Sequence, residues 1–86
     1  LEPAVLASPS EAFVGYPPEV EVRSTIGCGD SMVAGFLWAL EQGPPLPEAF
    51  RWAIAAGTAT AESDGSDLGK AEDAQRHLRR VRIEPF

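Results

Sequence analysis

Several things are scarce in this sequence, and each scarcity excludes something. There is a single cysteine, so no disulfide can close within the chain, which fits a reducing compartment. There is a single histidine, His77. With no second imidazole the usual zinc spacing cannot form, and a solvated place among Arg76, Arg79 and Arg80 is expected for it. Basic residues are few: 7 Lys and Arg against 13 Asp and Glu, for a net charge of −6. That balance argues against nonspecific nucleic-acid binding and against anionic membrane surfaces, and makes the cluster from Arg76 to Arg82 a weak signal for nucleic acid. No apolar run reaches the roughly 20 residues of a membrane-spanning helix. No secretory leader pattern is visible, and a cytoplasmic location is expected. The chain opens on Leu1 rather than methionine, as a fragment or an incomplete gene model would. Internal repeats and linker-like stretches are missing too. The 86 residues make one domain at most, and a chain of that size buries only about 60% of its unfolded surface.

What is present is an ordinary globular apolar content, 44%, patterned into short elements. Pro3 to Ala7 reads as a buried strand, Ser8-Pro9-Ser10-Glu11 as a turn, and Ala12 to Tyr16 as a second strand in a hairpin with the first. After Pro17-Pro18, the run Glu19 to Arg23 alternates polar and apolar at period two, the pattern of a half-buried strand. A helix follows from about Gly29 to Gln42, with Met32, Val33, Phe36, Leu37 and Leu40 on one apolar face. Gly43-Pro44-Pro45 stops it. Pro47 starts a second helix, to about Glu62, dense in small residues: Ala49, Ala53, Ala55, Ala56, Gly57, Ala59 and Ala61. These permit close approach to a neighbour or leave space for a flat ligand. A polar loop spans 63–69. A third helix, about Lys70 to Arg80, puts Ala71, Ala74, Leu78 and Val81 on one side, and an extended tail runs from Val81 to Phe86. Trp38 and Trp52 are expected to pack at helix surfaces.

The chain is organised around Ser24 to Phe36. Two glycines bracket Cys28, Asp30 follows, and the helical pattern begins at once. Gly27, Cys28 and Gly29 therefore fall in a turn at a helix N-terminus. Backbone N–H groups there lack intrahelical partners and carry the positive end of the helix dipole, which suits an anion, above all phosphate. A carboxylate beside that anion is poorly suited to static binding, because like charges repel. It is well suited to taking a proton from a hydroxyl that attacks the phosphate. Blander readings stand beside these. The turn is also a plain tight connection, and Asp30 a helix-dipole partner worth about 0.3–1 kcal/mol. Cys28 reads as a small filler before it reads as a reactive thiol. Arg23 reads as a solvated strand residue before it reads as a phosphate ligand.

The residues Ser24-Thr25-Ile26-Gly27-Cys28-Gly29-Asp30, with a helix carrying Phe36 behind them, resemble a signature near the C-terminus of the phosphofructokinase B family. That family lies in the ribokinase-like superfamily of sugar kinases, and its pattern is Asp-Thr-x-Gly-Ala-Gly-Asp. Ser-Thr at the start, Gly-Asp-Ser-Met-Val-Ala-Gly, and the ending Val81 to Phe86 resemble most the 1-phosphofructokinase branch. The likeness covers nearly the whole chain but only the C-terminal part of a family member. It implies an α/β fold class: the C-terminal fragment of a ribokinase-like fold, with short β-strands followed by three α-helices. Residues 1–86 would form an incomplete carbohydrate kinase domain. It also implies ATP-dependent phosphorylation of a sugar phosphate, foremost fructose 1-phosphate to fructose 1,6-bisphosphate.

On that resemblance, Asp30 is the catalytic base and touches the substrate hydroxyl, and Gly27, Cys28 and Gly29 form the anion hole. Thr25, Gly27, Gly29, Asp30 and Gly57 bind ATP. Thr25 either satisfies the turn's backbone or faces the nucleotide. Ala56, Gly57 and residues 63–65 help wall the adenine. Mg2+ accompanies ATP, with ligands mostly outside this chain, and the complete enzyme admits a homodimer. Two departures stand out. Ser24 occupies a position where aspartate is more common, and the chain contains no asparagine, so the family's Asn-x-x-Glu motif is missing. The sugar-binding residues and the Gly-Gly element belong to the family's N-terminal half. The rival readings are a noncatalytic truncated kinase module, and a tagatose-6-phosphate kinase or another sugar kinase.

Overall fold

A computed structural model describes residues 2–63 and 71–86. The hairpin read from the sequence is present. β1 (Ala4–Ala7) pairs antiparallel with β2 (Ala12–Tyr16), in a register that sets Ala4 opposite Gly15 and Ala7 opposite Ala12. Ser8 closes the turn: its N–H donates to the Glu11 carbonyl at 2.7 Å, and its Oγ accepts from the Glu11 N–H at 3.1 Å. The extended tail is a third strand, β3 (Arg82–Pro85), laid antiparallel on the far side of β2, so the sheet order is β1-β2-β3. The Arg82 guanidinium sits over the Tyr16 ring, 4.3 Å from its centroid, across that pairing.

The alternating run Glu19 to Arg23 corrects one expectation, because it forms no strand. Alternation gives a strand its two faces, but a ladder needs a neighbour with unpaired backbone groups. Among the described residues this segment meets instead the end of a helix, where the N–H groups of Arg23 and Ser24 both donate to the Ala61 carbonyl, at 2.8 and 3.2 Å.

Three helices complete the chain: α1 (Cys28–Glu41), α2 (Leu46–Glu62) and α3 (Ala71–His77), the last continued by a 3-10 turn over Leu78–Arg80. Gly43 ends α1 as its place before Pro44-Pro45 predicts. It takes the left-handed conformation, φ 79°, and donates its N–H to Leu40 O at 3.1 Å. The expected loop over 63–69, and the share of residues 64 and 65 in an adenine wall, fall outside the described residues beyond Ser63.

The packing face of α1 differs from the one its large residues suggest. Ser31 and Ala39 are its buried positions, with Gly35 half-buried between them, one per turn. This narrow small-residue stripe lies on the small residues of α2. A Cβ on Gly35 would stand 2.8 Å from the Ala56 Cβ and 3.2 Å from the Trp52 carbonyl oxygen, closer than packed atoms tolerate. Met32 and Phe36 flank the stripe and reach the core formed by Phe50, Ala53, Ile54, Ala55, Ala74 and Val81. Val33, Leu37 and Leu40, on the other side of the predicted apolar face, are exposed. Trp38 and Trp52 meet edge to face with centroids 5.0 Å apart, in keeping with packing at helix surfaces.

His77 corrects a second expectation. It is 2% exposed rather than solvated, and its Nε2 is hydrogen-bonded to the Glu62 carboxylate at the end of α2. Ala74, His77, Leu78 and Val81 follow one another at helical spacing, so the histidine lies within the inward stripe although its sequence neighbours are arginines. Those arginines do face outward. Arg76 pairs with Asp73 at 3.1 Å, and Arg80 donates to the Glu19 carbonyl at 2.9 Å.

Val5, Ile26, Val33, Leu37, Trp38 and Phe86 are all exposed while the core rests largely on alanines. The 86-residue chain on its own is therefore expected to unfold over a broad, weakly cooperative transition. Scanning calorimetry of the dilute monomer checks this. A sharp transition whose calorimetric and van't Hoff enthalpies agree would contradict it.

Candidate active site

The glycine turn is built as its sequence predicts. Gly27 precedes α1 in the left-handed conformation, φ 80° and ψ 0°, which an L side chain adopts only at a cost. That conformation folds the chain back so that Ser31 N–H reaches Gly27 O at 2.9 Å and Cys28 N–H reaches Thr25 O at 3.3 Å. Ser24 Oγ accepts from Ile26 N–H at 3.1 Å, a local turn of the kind hydroxyls favour. The Cys28 thiol lies 3.7 Å from the Ser24 carbonyl oxygen and is half-buried. The N–H groups of Gly27, Gly29 and Asp30 find no acceptor among the described residues. They sit where the α1 dipole is positive. Thr25, Gly29 and Asp30 are exposed, and the Asp30 carboxylate makes no ion pair among the described residues.

Thr25, Gly27, Cys28, Gly29 and Asp30 thus come together within one turn and its approach. Gly57 approaches them from behind, on α2. A Cβ there would stand 2.6 Å from Met32 Cγ and 3.5 Å from the Cys28 carbonyl oxygen, so its lack of a side chain lets the first turn of α1 settle onto α2. Gly57, Thr58, Cys28 and Met32 line an apolar cleft of about 90 Å³ that reaches Ala4 and Pro17 of the hairpin side. That is below the roughly 300–1,000 Å³ of ligand pockets, so these walls alone do not enclose a nucleoside.

Two features of the site escape a reading by motif. The first is the Ser24 hydroxyl, which takes the turn-satisfying role left open for Thr25; its signal is only a serine two residues ahead of Ile26. The second is a buried hydroxyl pair, Ser31 Oγ and Thr60 Oγ1, 2.6 Å apart, joining the first turn of α1 to the last of α2. Nothing local in the sequence links positions 29 residues apart. Arg23 contributes its backbone N–H, and its side chain is exposed.

Chemically, the arrangement offers, among the described residues, open N–H donors at a positive helix end and an unpaired carboxylate beside them. It can take an anion and hold a base next to it. Among the described residues no three His, Cys, Asp or Glu side chains gather closely enough for a metal ion, and no helix is long and apolar enough to cross a membrane.

Residues 2–73 match the family described as pfkB family carbohydrate kinase. The chain is 40% identical over 73 residues to a 1-phosphofructokinase of Borreliella burgdorferi, covering 85% of this chain and 23% of that protein. It is 36% identical over 80 residues to the 1-phosphofructokinase of Bacillus subtilis, covering 93% and 26%. Among solved structures, phosphofructokinase-2 from Escherichia coli in complex with potassium superposes with a TM-score of 0.73 at 31% identity, over 84% of this chain and 26% of that one. The chain spans about a quarter of the length of the curated relatives it matches.

Proposed function

We propose, from the premise that this chain belongs to the pfkB family of carbohydrate kinases, that it carries the phosphoryl-transfer end of an ATP-dependent sugar-phosphate kinase. The substrate we infer is fructose 1-phosphate, giving fructose 1,6-bisphosphate, because relatives 40% and 36% identical over 85% and 93% of this chain are named 1-phosphofructokinase. The observation that carries the reading is the pairing of open N–H donors in the Gly27–Asp30 turn with the free carboxylate of Asp30.

In this reading Asp30 accepts the proton of the attacking sugar hydroxyl. Gly27 and Gly29 donate to the oxygens on which charge builds, and Cys28 N–H joins them by giving up its long bond to Thr25 O. One such donor contributes about 10²–10³ in rate. ATP supplies the phosphoryl group when bound, accompanied by Mg2+ whose ligands we place mostly outside this chain. Phosphate oxygens fit these donors because they bring the negative charge that the α1 dipole favours. Thr25, exposed at the mouth of the turn, lies on the nucleotide side, and Gly57 supports the turn from below.

The test is a coupled assay for ADP release by the protein as its gene expresses it. ATP, Mg2+ and a panel of fructose 1-phosphate, fructose 6-phosphate and tagatose 6-phosphate are supplied. Turnover with fructose 1-phosphate well above the others is expected. No turnover with any of them would return the chain to a noncatalytic module. In the same assay Cys28→Ala is expected to stay within about threefold of the parent kcat, since the role read for Cys28 needs its backbone and a small volume. A hundredfold loss would give the thiol a role of its own.

A further inference from the structure

Both ends of the glycine turn are fastened to consecutive residues of α2. On the entering side, the N–H groups of Arg23 and Ser24 donate to Ala61 O at 2.8 and 3.2 Å. This carbonyl belongs to the last turn of α2, where no intrahelical donor remains, so the strap also caps that helix. On the leaving side, Ser31 closes the turn with its own N–H on Gly27 O and sends its side chain to the Thr60 hydroxyl at 2.6 Å. Ser31 is 8% exposed and Thr60 fully buried. Between the two fastenings hang Gly27, Cys28, Gly29 and Asp30.

We propose that Ser31 and Thr60 are a positioning pair: their hydroxyl–hydroxyl bond sets where the Gly27–Asp30 donors and the Asp30 carboxylate stand. The inference rests on the kinase reading above and adds to it two residues that do not touch substrate. Three points carry it. First, Ser31 is adjacent to Asp30 in the first turn of α1, where successive residues are about 100° apart. Rotation of α1 about its axis therefore moves Asp30 sideways, and the Thr60 bond blocks that rotation. Second, the neighbouring α1–α2 contact sets Gly57, which has no side chain to interlock, against the flexible Met32. The directional bond supplies what shape alone does not. Third, a plain apolar pair would fill the same volume between the helices. A hydrogen bond differs from it chiefly in fixing direction. A displacement of about 1 Å at a reacting group can cost on the order of a hundredfold in rate, so a small rotation is enough to matter.

The experiment uses the protein as its gene expresses it, with steady-state kinetics in ATP and fructose 1-phosphate and thermal melts. The variants are Ser31→Ala, Thr60→Val, their combination and Thr60→Ser. Each of the first two is expected to lower kcat by about tenfold or more while KM for ATP stays within about threefold. The combination should be no worse than the poorer single change, because each change breaks the same Ser31–Thr60 bond. Thr60→Ser keeps the hydroxyl and should restore kcat to within about threefold of the parent. Variants that keep the parent kcat overturn the pair's positioning role and leave the kinase reading standing. Equal losses in kcat and ATP affinity, or unfolding of both knock-outs at the assay temperature, reduce the pair to helix–helix adhesion and also overturn it. A parent protein with no ATP-dependent transfer overturns the kinase reading, and the pair's role with it.

Discussion

Asp30→Asn is expected to lower kcat by at least about a hundredfold while ATP binding holds or improves. A sugar hydroxyl is a weak nucleophile at neutral pH, and a placed carboxylate that takes its proton contributes about 10²–10⁴ in rate. Asparagine keeps the size and shape of the side chain and one acceptor oxygen, exchanges the other oxygen for a donating NH2, and loses the charge and basicity. The change also removes a negative charge from beside the phosphates, so affinity for the nucleotide has no reason to fall. The exposed position of Asp30, with no ion pair among the described residues, means that among them the substitution loses only its interaction with the α1 dipole. Steady-state kinetics with fructose 1-phosphate and ATP titration by calorimetry, on parent and variant, measure the two effects separately. Turnover surviving within a few-fold would remove Asp30 as the base. Collapse of both folding and ATP binding would make it a helix-end partner only.

The parts of this molecule that were legible in the sequence are those set by local rules. Ala12 to Tyr16 is a strand with the bounds its residues suggest. Helix α1 begins and ends within a residue or two of Gly29 and Gly43, α2 begins beside Pro47, and Gly27 and Gly43 take the left-handed conformations that their places demand. The errors share one cause, which is tertiary choice among local options. Glu19 to Arg23 has the alternation of a strand but spends its backbone donors on the end of α2. His77 sits among arginines in the chain, but Ala74 before it and Leu78 and Val81 after it pack into the core, and that inward side decides. On α1 the large apolar residues drew attention, yet Ser31, Gly35 and Ala39 form the buried line, because α2 is studded with small residues and the two helices can come close. The candidate site divides in the same way. The turn and its carboxylate are a contiguous motif and can be read directly. The hydroxyl pair that ties the motif to α2 joins distant positions, and no local pattern points to it.

Gly27→Val is expected to damage both stability and turnover, and Gly27→Asn to separate the two. At φ 80° and ψ 0° the glycine occupies a region that costs an L residue about 1–2 kcal/mol. Branching at Cβ adds crowding against the neighbouring peptide, so valine escapes by swinging φ negative. That swing rotates the peptide groups on either side. It pulls Gly27 O away from the Ser31 N–H, loosens the bond from Cys28 to Thr25, and re-aims the N–H groups of the turn. A loss of at least about 1–2 kcal/mol in unfolding free energy is the stability consequence. A fall in kcat of about a hundredfold is the kinetic one, since even one misaimed oxyanion donor costs about 10²–10³. Asparagine tolerates the left-handed region far better than other non-glycine residues. The Asn variant should therefore recover most of the melting temperature, whatever its side chain does to the mouth of the site. Denaturant melts and kcat for the parent and both variants provide the measurement. Valine at parent-like stability would mean that the turn relaxes without strain. Valine at parent-like turnover would mean that the direction of these N–H groups does not govern the chemistry, and the anion hole would have to be sought elsewhere.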